Sequence, residues 1–231
     1  MTERTELSEL EVFDQGWLEV LQRTPLVRLV YGLGGLTRLG ERPAPLDRLA
    51  LVLGPSADET ITLVQDNTTA RIEDDLVYWV DPFPGDDVRR MLYIGDDDRP
   101  VPMKSGCAPD LPLFAAVLDV PFRVEDTCAA TGDPIRIDFV PDGYGRVDPP
   151  TTVVPLLSVE HVQGVTGGSF EQIDATVCAY QPFFASADAA EEWLRAAPGG
   201  RVFTLGEMFD RPWYRYFRDD LRPFIHPPVR A

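Results

Sequence analysis

Histidine and cysteine are scarce in this sequence of 231 residues, which contains two histidines and three cysteines. With only His161 and His226, a histidine-rich catalytic metal site is nearly excluded, and Ser/His/Asp catalysis has few candidates. An odd number of cysteines is a poor basis for a disulfide framework. We therefore expect Cys107, Cys128 and Cys178 to be free thiols in a reducing cytosol.

Long hydrophobic runs and basic residues are also lacking. The sequence has no uninterrupted apolar stretch long enough for a membrane span, and residues 1–10 are acidic and polar, unlike a secretory signal. We therefore expect a cytoplasmic protein. The 21 Lys and Arg stand against 38 Asp and Glu, a formal net charge of −17. Such a surface repels phosphate backbones, so we do not expect nucleic acid as a partner. Because no apolar span is present, we expect no membrane partner either.

The first 98 residues predict a helical segment followed by a winged helix-turn-helix-like domain. Residues 1–40 have helical spacing of apolar residues until Gly32, Gly34 and Gly35 break the pattern. A short helix ends at Gly54, Ser56 caps a second one, and strands follow at 70–72, 77–80 and 91–94. This outline is typical of DNA-binding domains, but the second helix carries two acids and no base, which favours a structural role.

Two prolines, Pro100 and Pro102, mark a predicted boundary, which divides the chain into residues 1–98 and 99–231. After it we expect a helix beginning near Cys107 and strands at 122–124, 135–140, 153–157 and 175–180. Further helices are predicted from Ser186 and over residues 206–220. The Gly-rich stretch 163–169 lacks the lysine and the spacing of a phosphate loop, and we expect it to be mobile.

Cys107 and Asp110 are the first candidate site. Pro109 suits the first turn of a helix, which places Cys107 at the helix N-terminus, where the dipole and free N–H groups favour a thiolate. Asp110 lies three residues on, along the same helix face, and a thiol and a carboxylate so placed can exchange a proton. Cys-x-x-Asp is nevertheless a weak pattern, and on spacing alone a small buried cysteine beside a capping acid is the better explanation.

The other two cysteines are less defined by their neighbours. Cys128 lies among small residues, as in a tightly packed turn, which favours a structural role. Cys178 lies on a predicted strand and is equally compatible with the core or with a site. Three separated cysteines without a Cys-x-x-Cys pair would suit a soft, thiophilic metal bound by thiolates from different elements.

Three motifs, taken in order, resemble the alkylmercury lyase (organomercurial lyase) family. They are Cys107-Ala108-Pro109-Asp110, Cys128-Ala129-Ala130-Thr131-Gly132, and Val177-Cys178 followed by Phe183-Phe184-Ala185-Ser186 and a helix with Ala190 and Trp193. The similarity covers residues 100–196 well, whereas residues 43–95 are similar to the family in outline only. The resemblance implies an α+β fold, in which a winged helix-turn-helix-like domain precedes an alkylmercury-lyase-like domain of antiparallel strands with flanking helices.

The resemblance also implies a reaction, the protonolytic cleavage of a carbon–mercury bond to a hydrocarbon and Hg(II). The family's two catalytic cysteines fall on Cys107 and Cys178, its aspartate on Asp110, and its structural cysteine on Cys128. The three catalytic residues would also be the ligands of mercury. No cofactor is implied beyond free low-molecular-weight thiols for ligand exchange, and a mercuric reductase is the implied recipient of Hg(II).

The implied mechanism follows from the chemistry of a soft metal, which thiolates bind tightly. One thiolate replaces the thiol carried by the organomercurial substrate, and a second pushes electron density through mercury onto carbon. Asp110 would first accept a thiol proton and then return it to carbon. A dry pocket would raise the pKa of Asp110 toward the working range, with Phe114, Phe183 and Phe184 as candidate walls.

Two other functions stay open from the sequence. One is a paralogue that performs another thiol- or metal-dependent reaction, for instance in biosynthesis. The other is a metal-responsive regulator that pairs a winged helix with a thiol sensor. The acidic surface and the acidic second helix count against the regulator.

Overall fold

The computed structural model of the chain describes residues 7–54, 56–163, 169–197 and 199–227. Helices and strands both contribute, which confirms the predicted mixture of helix and sheet. The helices are α1 (Glu9–Arg23), α2 (Pro25–Thr37), α3 (Leu46–Leu53), α4 (Ala57–Asn67), α5 (Asp110–Val117), α6 (Val159–Gln163), α7 (Phe170–Thr176), α8 (Glu191–Ala196), α9 (Leu205–Phe209), α10 (Pro212–Arg215) and α11 (Arg222–Ile225). Short 3₁₀ segments cover Cys178–Tyr180 and Asp188–Ala190, and a π-helical turn covers Tyr216–Leu221.

The strands of the described residues pair antiparallel throughout. They are β1 (Ala44–Pro45), β2 (Ala70–Glu73), β3 (Leu76–Trp79), β4 (Arg90–Ile94), β5 (Arg99–Met103), β6 (Phe122–Thr127), β7 (Pro134–Val140), β8 (Gly143–Asp148), β9 (Val153–Leu156) and β10 (Arg201–Thr204). The main sheet has the order β5-β4-β6-β7-β8, a small sheet has the order β1-β3-β2, and β9 pairs with β10. Leu92, Val124 and Ile137 face one another across β4, β6 and β7 and are fully buried, so this face of the main sheet packs on the core.

Local sequence explains the limits of the N-terminal elements. Ser8 and Ser56 begin α1 and α4 with capping boxes, and α3 ends at Gly54, which has a φ of +89°. The two short helices and the following strands therefore occur where the sequence predicts them. The order of helix, helix and hairpin matches the predicted outline, and the winged-helix assignment stays a prediction.

The glycines of α2 correct one expectation. Gly32, Gly34 and Gly35 do not end the helical segment but lie inside α2. The segment breaks earlier, at Thr24, because Pro25 can begin a helix but cannot continue one.

Close packing is the physical reason for the glycine face of α2, which is formed by Gly34 and Gly35. A Cβ atom on Gly34 would lie 2.7 Å from Cε1 of Phe114, and one on Gly35 would lie 2.8 Å from the carbonyl oxygen of Val117. Contacts this short are not tolerated in a packed interior. The glycines therefore allow the backbone of α2 to pass directly against α5.

The predicted division between residues 98 and 99 falls in the hairpin that joins β4 to β5. Pro100 and Pro102 lie in β5, an edge strand of the main sheet, where a missing N–H group is tolerated. The main sheet thus combines β4, from before the division, with β5–β8, from after it. The division into two domains stays a prediction.

The strand predicted at residues 175–180 is wrong. The Ser169 hydroxyl accepts a hydrogen bond from the N–H group of Gln172 and caps α7, which runs to Thr176. The chain then continues as the 3₁₀ segment Cys178–Tyr180. Cys178 therefore lies on a tight turn and not on a strand with alternating faces.

The C-terminal helical segment is more divided than the sequence suggests. The single helix predicted over 206–220 is interrupted after α9, because Pro212 begins the new helix α10. Ser186 is not the N-cap of α8 as predicted: its hydroxyl accepts a hydrogen bond from the N–H group of Ala189 in the preceding 3₁₀ segment, and α8 begins at Glu191 after Ala190. Residues 164–168 of the Gly-rich stretch lie outside the described residues.

Helix α5 lies at the centre of the core. Its residues from Leu111 to Val117 are all buried. The ring of Phe114 packs against Tyr31 of α2 and against Phe83, with centroid separations of 4.9 and 5.8 Å. Within the described ranges, every helix falls short of the length and hydropathy that a membrane crossing requires. The packing around α5 fixes the position of its first residue, Asp110.

Candidate active site

The three residues that the sequence singles out for chemistry meet at one point. Cys107 precedes α5, Asp110 is the first residue of α5, and Cys178 follows α7. The two sulfur atoms and one carboxylate oxygen of Asp110 all lie within 4.8 Å of one another. Since metal–sulfur bonds are about 2.3 Å long for an ion such as zinc, one soft ion can contact both sulfurs. The catalytic roles of the three residues stay a prediction.

Backbone hydrogen bonds hold the Cys107 loop against the Cys178 segment. The N–H group of Gly106 donates to Oδ1 of Asp174, at 2.7 Å. The N–H group of Ala108 donates to the carbonyl oxygen of Gln181, at 2.9 Å. Asp174 and Gln181 flank Cys178 in the sequence, so these two bonds bring the second thiol to the first.

The turn that carries Cys107 differs from the predicted one. Cys107 lies near the N-terminus of α5, as predicted, but Pro109 occupies the N-cap position and not the first turn, so Cys107 lies two residues before the cap. The N–H group of Cys107 donates to Oδ2 of Asp110, at 2.6 Å. Gly106, with a φ of +86°, reverses the chain just before, and a Cβ atom there would lie 2.5 Å from Cε of Met103.

Two donors hold the carboxylate of Asp110, one on each oxygen. The Tyr31 hydroxyl donates to Oδ1 at 2.6 Å, and the Cys107 N–H group donates to Oδ2. Burial raises the pKa of Asp110, while the hydrogen bonds from Tyr31 and Cys107 act in the opposite direction. A raised pKa of Asp110 is the direction expected from the sequence for a dry pocket. Burial and the negative charge of Asp110 also raise the pKa of Tyr31 well above its usual value, so the phenol keeps its proton.

The surroundings of Cys107 disfavour the thiolate, contrary to the expectation from a helix N-terminus. The hydrogen bond shared with Cys178 is the largest cause that raises the pKa of Cys107 well above its usual value, followed by burial and by the charge of Asp110. A coordinating metal reverses this preference, because a metal-bound thiol is deprotonated.

An apolar cavity of about 130 Å³ opens onto this cluster. A cavity of about 150 Å³ is enough to enclose a benzene ring, so the space suits one compact organic group. Helices α1, α2, α5 and α7 supply much of its wall. The apolar side chains that line it include Trp17, Leu21, Val27, Val30, Leu113, Phe114, Phe170, Ile173 and Val177. Phe114 is thus a wall residue as proposed from the sequence, whereas Phe183 and Phe184 are buried in the core outside this lining.

Comparison with known proteins finds a family that matches the part of the chain carrying the two sulfurs and the carboxylate. Residues 102–214 match the model of the alkylmercury lyase family. Over these residues, the chain is similar to the alkylmercury lyase family. The resemblance seen in the cysteine motifs is thereby confirmed.

Individual alkylmercury lyases support the same assignment. Those of Bacillus cereus and Clostridium butyricum are each 35% identical over 104 residues, which is 45% of this chain and 44% of the relative. The alkylmercury lyase of Streptomyces lividans is 33% identical over 103 residues, with the same shares of both chains. The aligned region therefore spans less than half the length of these relatives.

The fold likeness extends further than the sequence match. A crystal structure of the mercury-bound form of MerB2 superposes with a TM-score of 0.53 and 15% identity, covering 92% of this chain and 98% of the other. At this identity the comparison shows a shared fold only. The helices before residue 102 are thus part of a fold that this neighbour also has.

The third cysteine of the alkylmercury lyase region lies outside the cluster of Cys107, Asp110 and Cys178. Cys128 is buried, and its sulfur accepts a hydrogen bond from the N–H group of Ala185 at 3.3 Å. Burial would raise the pKa of Cys128, but hydrogen bonds, with Thr131 and Ala185 foremost, lower it. These contacts attach the turn after β6 to the segment that follows Cys178, which agrees with the structural role implied by the resemblance.

Tyr31 is the site residue that sequence reasoning missed. It lies 79 residues before Asp110, outside the alkylmercury lyase match, and belongs to no motif. The available signal was the hydroxyl group of a tyrosine in α2, a mostly apolar helix whose other polar side chains are Arg28 and Thr37. Trp17 of α1 also lines the cavity, and it donates its indole N–H to the carbonyl oxygen of Leu157 at 3.1 Å.

Proposed function

We propose that this protein is an organomercurial lyase, which cleaves the carbon–mercury bond of alkyl or aryl mercury thiolates to a hydrocarbon and Hg(II). The observation that supports this most directly is the cluster of Cys107, Asp110 and Cys178 within 4.8 Å, at the wall of an apolar cavity. Thiolates are the ligands that soft metal ions prefer, and the adjacent carboxyl group is a proton donor. The family of residues 102–214 supports the same reaction.

The reaction begins with ligand exchange. One cysteine of the pair gives its proton to the thiolate that leaves mercury, and its own sulfur becomes the new ligand of the organomercury group. The organic group then occupies the cavity beside Phe114, where apolar side chains exclude water. The carbon–mercury bond is still intact at this stage.

Cleavage needs a second thiolate and a proton. Asp110 accepts the proton of the other cysteine, whose sulfur then binds mercury and increases the electron density on carbon. The protonated Asp110 delivers this proton to carbon, so that the hydrocarbon leaves and Hg(II) stays bound to Cys107 and Cys178. The carboxylate is restored, and burial, which raises the pKa of Asp110, favours the protonated form that the last step needs.

Product release needs further thiols. Two low-molecular-weight thiols give their protons back to the cysteines and carry Hg(II) away, and we propose a mercuric reductase as the recipient. No resident cofactor takes part in these steps. We assign the enzyme to the cytoplasm, where free thiols are abundant.

We also propose that α3, α4 and the β2–β3 hairpin form a winged-helix-like unit with a structural role. Helix α4 exposes Asp58 and Glu59 in its first turn and carries no basic residue. This surface is unsuited to a phosphate backbone. It therefore favours the lyase over a DNA-binding regulator.

The decisive experiment measures hydrocarbon release from phenylmercury in the presence of excess thiol. We expect the wild-type protein to release benzene and Hg(II) in equal amounts. Cys107→Ser and Cys178→Ser should abolish turnover, whereas Cys128→Ser, at the cysteine outside the cluster, should retain it. Full activity in both Cys107→Ser and Cys178→Ser would contradict the proposal.

A second variant separates mercury binding from proton transfer. Asp110→Ala should still bind phenylmercury, as detected by mass spectrometry of the intact protein, but it should stall before benzene release. Wild-type rates of release from this variant would remove Asp110 from the mechanism.

A further inference from the structure

The structure assigns Tyr31 as the residue that positions Asp110 for proton transfer, an inference that rests on the proposed lyase function. The Tyr31 hydroxyl donates to Oδ1 of Asp110 at 2.6 Å, while the Cys107 N–H group donates to Oδ2 at 2.6 Å. With one donor on each oxygen, the plane of the carboxylate is fixed relative to the two sulfurs. A proton held on this carboxylate therefore has a defined direction toward the metal-bound carbon.

Packing restricts the ring of Tyr31 in turn. Its side chain is buried, with 4% of its surface exposed. The ring lies between Phe114, at a centroid separation of 4.9 Å, and Phe217, which it meets edge-on at 4.6 Å. Both rings would hold a phenylalanine at this position equally well. The hydroxyl therefore contributes through Asp110 and not through the hydrophobic core.

The position of Tyr31 in α2 supports this role. The helix is held close to α5 by its glycine face, and Asp110 is the first residue of α5. The hydrogen bond thus joins two elements whose distance is set by backbone packing. Proton transfer needs such geometry, since a misplacement of about 1 Å can reduce a rate about 100-fold.

The contribution of the single hydroxyl is tested with Tyr31→Phe. We expect single-turnover benzene release to fall about 10- to 100-fold, the usual effect of losing a partner that orients a reacting group. The KM for phenylmercury and the stoichiometry of Hg(II) binding should be unchanged, because both sulfurs are untouched. If Tyr31 acted only in folding, Tyr31→Phe would lower thermal stability but would not lower kcat while KM stays unchanged.

Tyr214→Phe is the matched control. Tyr214 is 1% exposed, and its hydroxyl is a buried group without a hydrogen-bond partner among the described residues. Its removal should leave benzene release at the wild-type rate. Replacement of Tyr31 by 4-aminophenylalanine, which retains an N–H donor at the same place, should restore much of the rate lost in Tyr31→Phe.

Three results would overturn the inference. They are a wild-type rate in Tyr31→Phe, an equal loss in Tyr214→Phe, and no recovery with 4-aminophenylalanine. If the wild-type protein releases no benzene, the proposed function fails, and a crystal structure of Tyr31→Phe then decides the positioning role. We expect the carboxylate of Asp110 to rotate away from its place in the wild type, and an unchanged rotamer would refute the assignment.

Discussion

The N–H group of Ala108 donates a 2.9 Å hydrogen bond to the carbonyl oxygen of Gln181, and this contact joins the chain segments of the two site cysteines. Gln181 is 1% exposed, and its side-chain Oε1 accepts the N–H group of Leu157 at 2.9 Å. One residue thus connects the Cys107 loop, the segment after Cys178 and the end of β9. The convergence of the two sulfurs depends on buried polar contacts as well as on apolar packing.

Replacing Gln181 tests this connection. Gln181→Ala leaves the buried N–H group of Leu157 without its acceptor, which costs about 1–3 kcal/mol. We expect urea denaturation to show a lower free energy of unfolding by this amount. Gln65→Ala, at an exposed position of α4, is the control and should change stability by less than about 0.5 kcal/mol. Equal stabilities of the two variants would show that the side-chain hydrogen bond of Gln181 does not stabilise the fold.

The contact between α7 and the Cys107 loop predicts a change in thiol reactivity. Asp174 accepts the N–H group of Gly106 and forms a two-point ion pair with Arg89, at 3.0 and 2.8 Å. Losing a hydrogen bond to a charged group costs about 1.5–3 kcal/mol, so local opening around Cys178 should become roughly 10- to 150-fold more frequent. Asp174→Ala should therefore speed alkylation of Cys178 by iodoacetamide, as measured by peptide mass spectrometry.

Glu73→Ala provides the comparison for this experiment. It removes an ion pair of similar type, between Arg71 and Glu73 at 3.4 Å, on the exposed β2 strand. Alkylation of Cys178 should proceed at the wild-type rate in this variant. The same rate in Asp174→Ala would mean that α7 is held by its other contacts.

The glycine face of α2 predicts that a Gly→Ala substitution there destabilises the protein, contrary to its usual effect inside a helix. Gly→Ala inside a helix normally stabilises by up to about 1 kcal/mol. Gly35→Ala should instead destabilise by about 1–3 kcal/mol, because its Cβ atom would lie 2.8 Å from the backbone oxygen of Val117. The control is Gly145→Ala, where the nearest contact would be an ordinary 3.7 Å. A higher melting temperature for Gly35→Ala than for the wild type would disprove the close packing of α2 on α5.

His226 predicts a dependence of stability on pH. Burial lowers the pKa of His226 below its ordinary value of 6.5, although contacts with Val117 and Asp119 partly oppose this. The unfolded chain therefore binds the proton more readily than the folded protein. The stabilising contribution is fully present above about pH 6.5 and is lost as the pH falls through the lower, folded pKa.

The measurement compares unfolding free energies of the wild type and His226→Gln. Their difference should shrink as the pH is lowered from about 7.5 to about 5.5, whereas effects of other groups cancel in the comparison. His161→Gln, at an exposed position, serves as the control for loss of a histidine. A difference that does not vary with pH would show that His226 titrates alike in both states.

The predictions from sequence succeeded where the signals are local. Ser56 and Gly54 mark helix limits through their own backbone and side-chain chemistry, and the short strands of the main sheet follow from alternating apolar residues. The cysteine motifs gave three residues whose ligand atoms the fold brings together. Their meeting point could be expected from the order of the motifs only because a family with that order is known.

The failures have a common physical cause, which is packing between distant segments. Gly35 looks like a helix breaker until the backbone of α5 is placed beside it. Likewise, the strand prediction for Cys178 is wrong because the residues next to Cys178 do not show that Ser169 begins a helix. The contact of Tyr31 with Asp110 spans 79 residues and has no counterpart in local spacing.

The cavity draws its wall from two sources, and this has an evolutionary consequence. The sulfurs and the carboxyl group come from the region after residue 102, whereas Trp17 and Tyr31 come from before it. Divergence of α1 and α2 therefore changes the shape of the cavity and the hydrogen bond to Asp110, without changing the sulfurs or the carboxyl group themselves. Exchanging the N-terminal helices between relatives would therefore replace Trp17 and Tyr31 together, while Cys107, Asp110 and Cys178 stay in place.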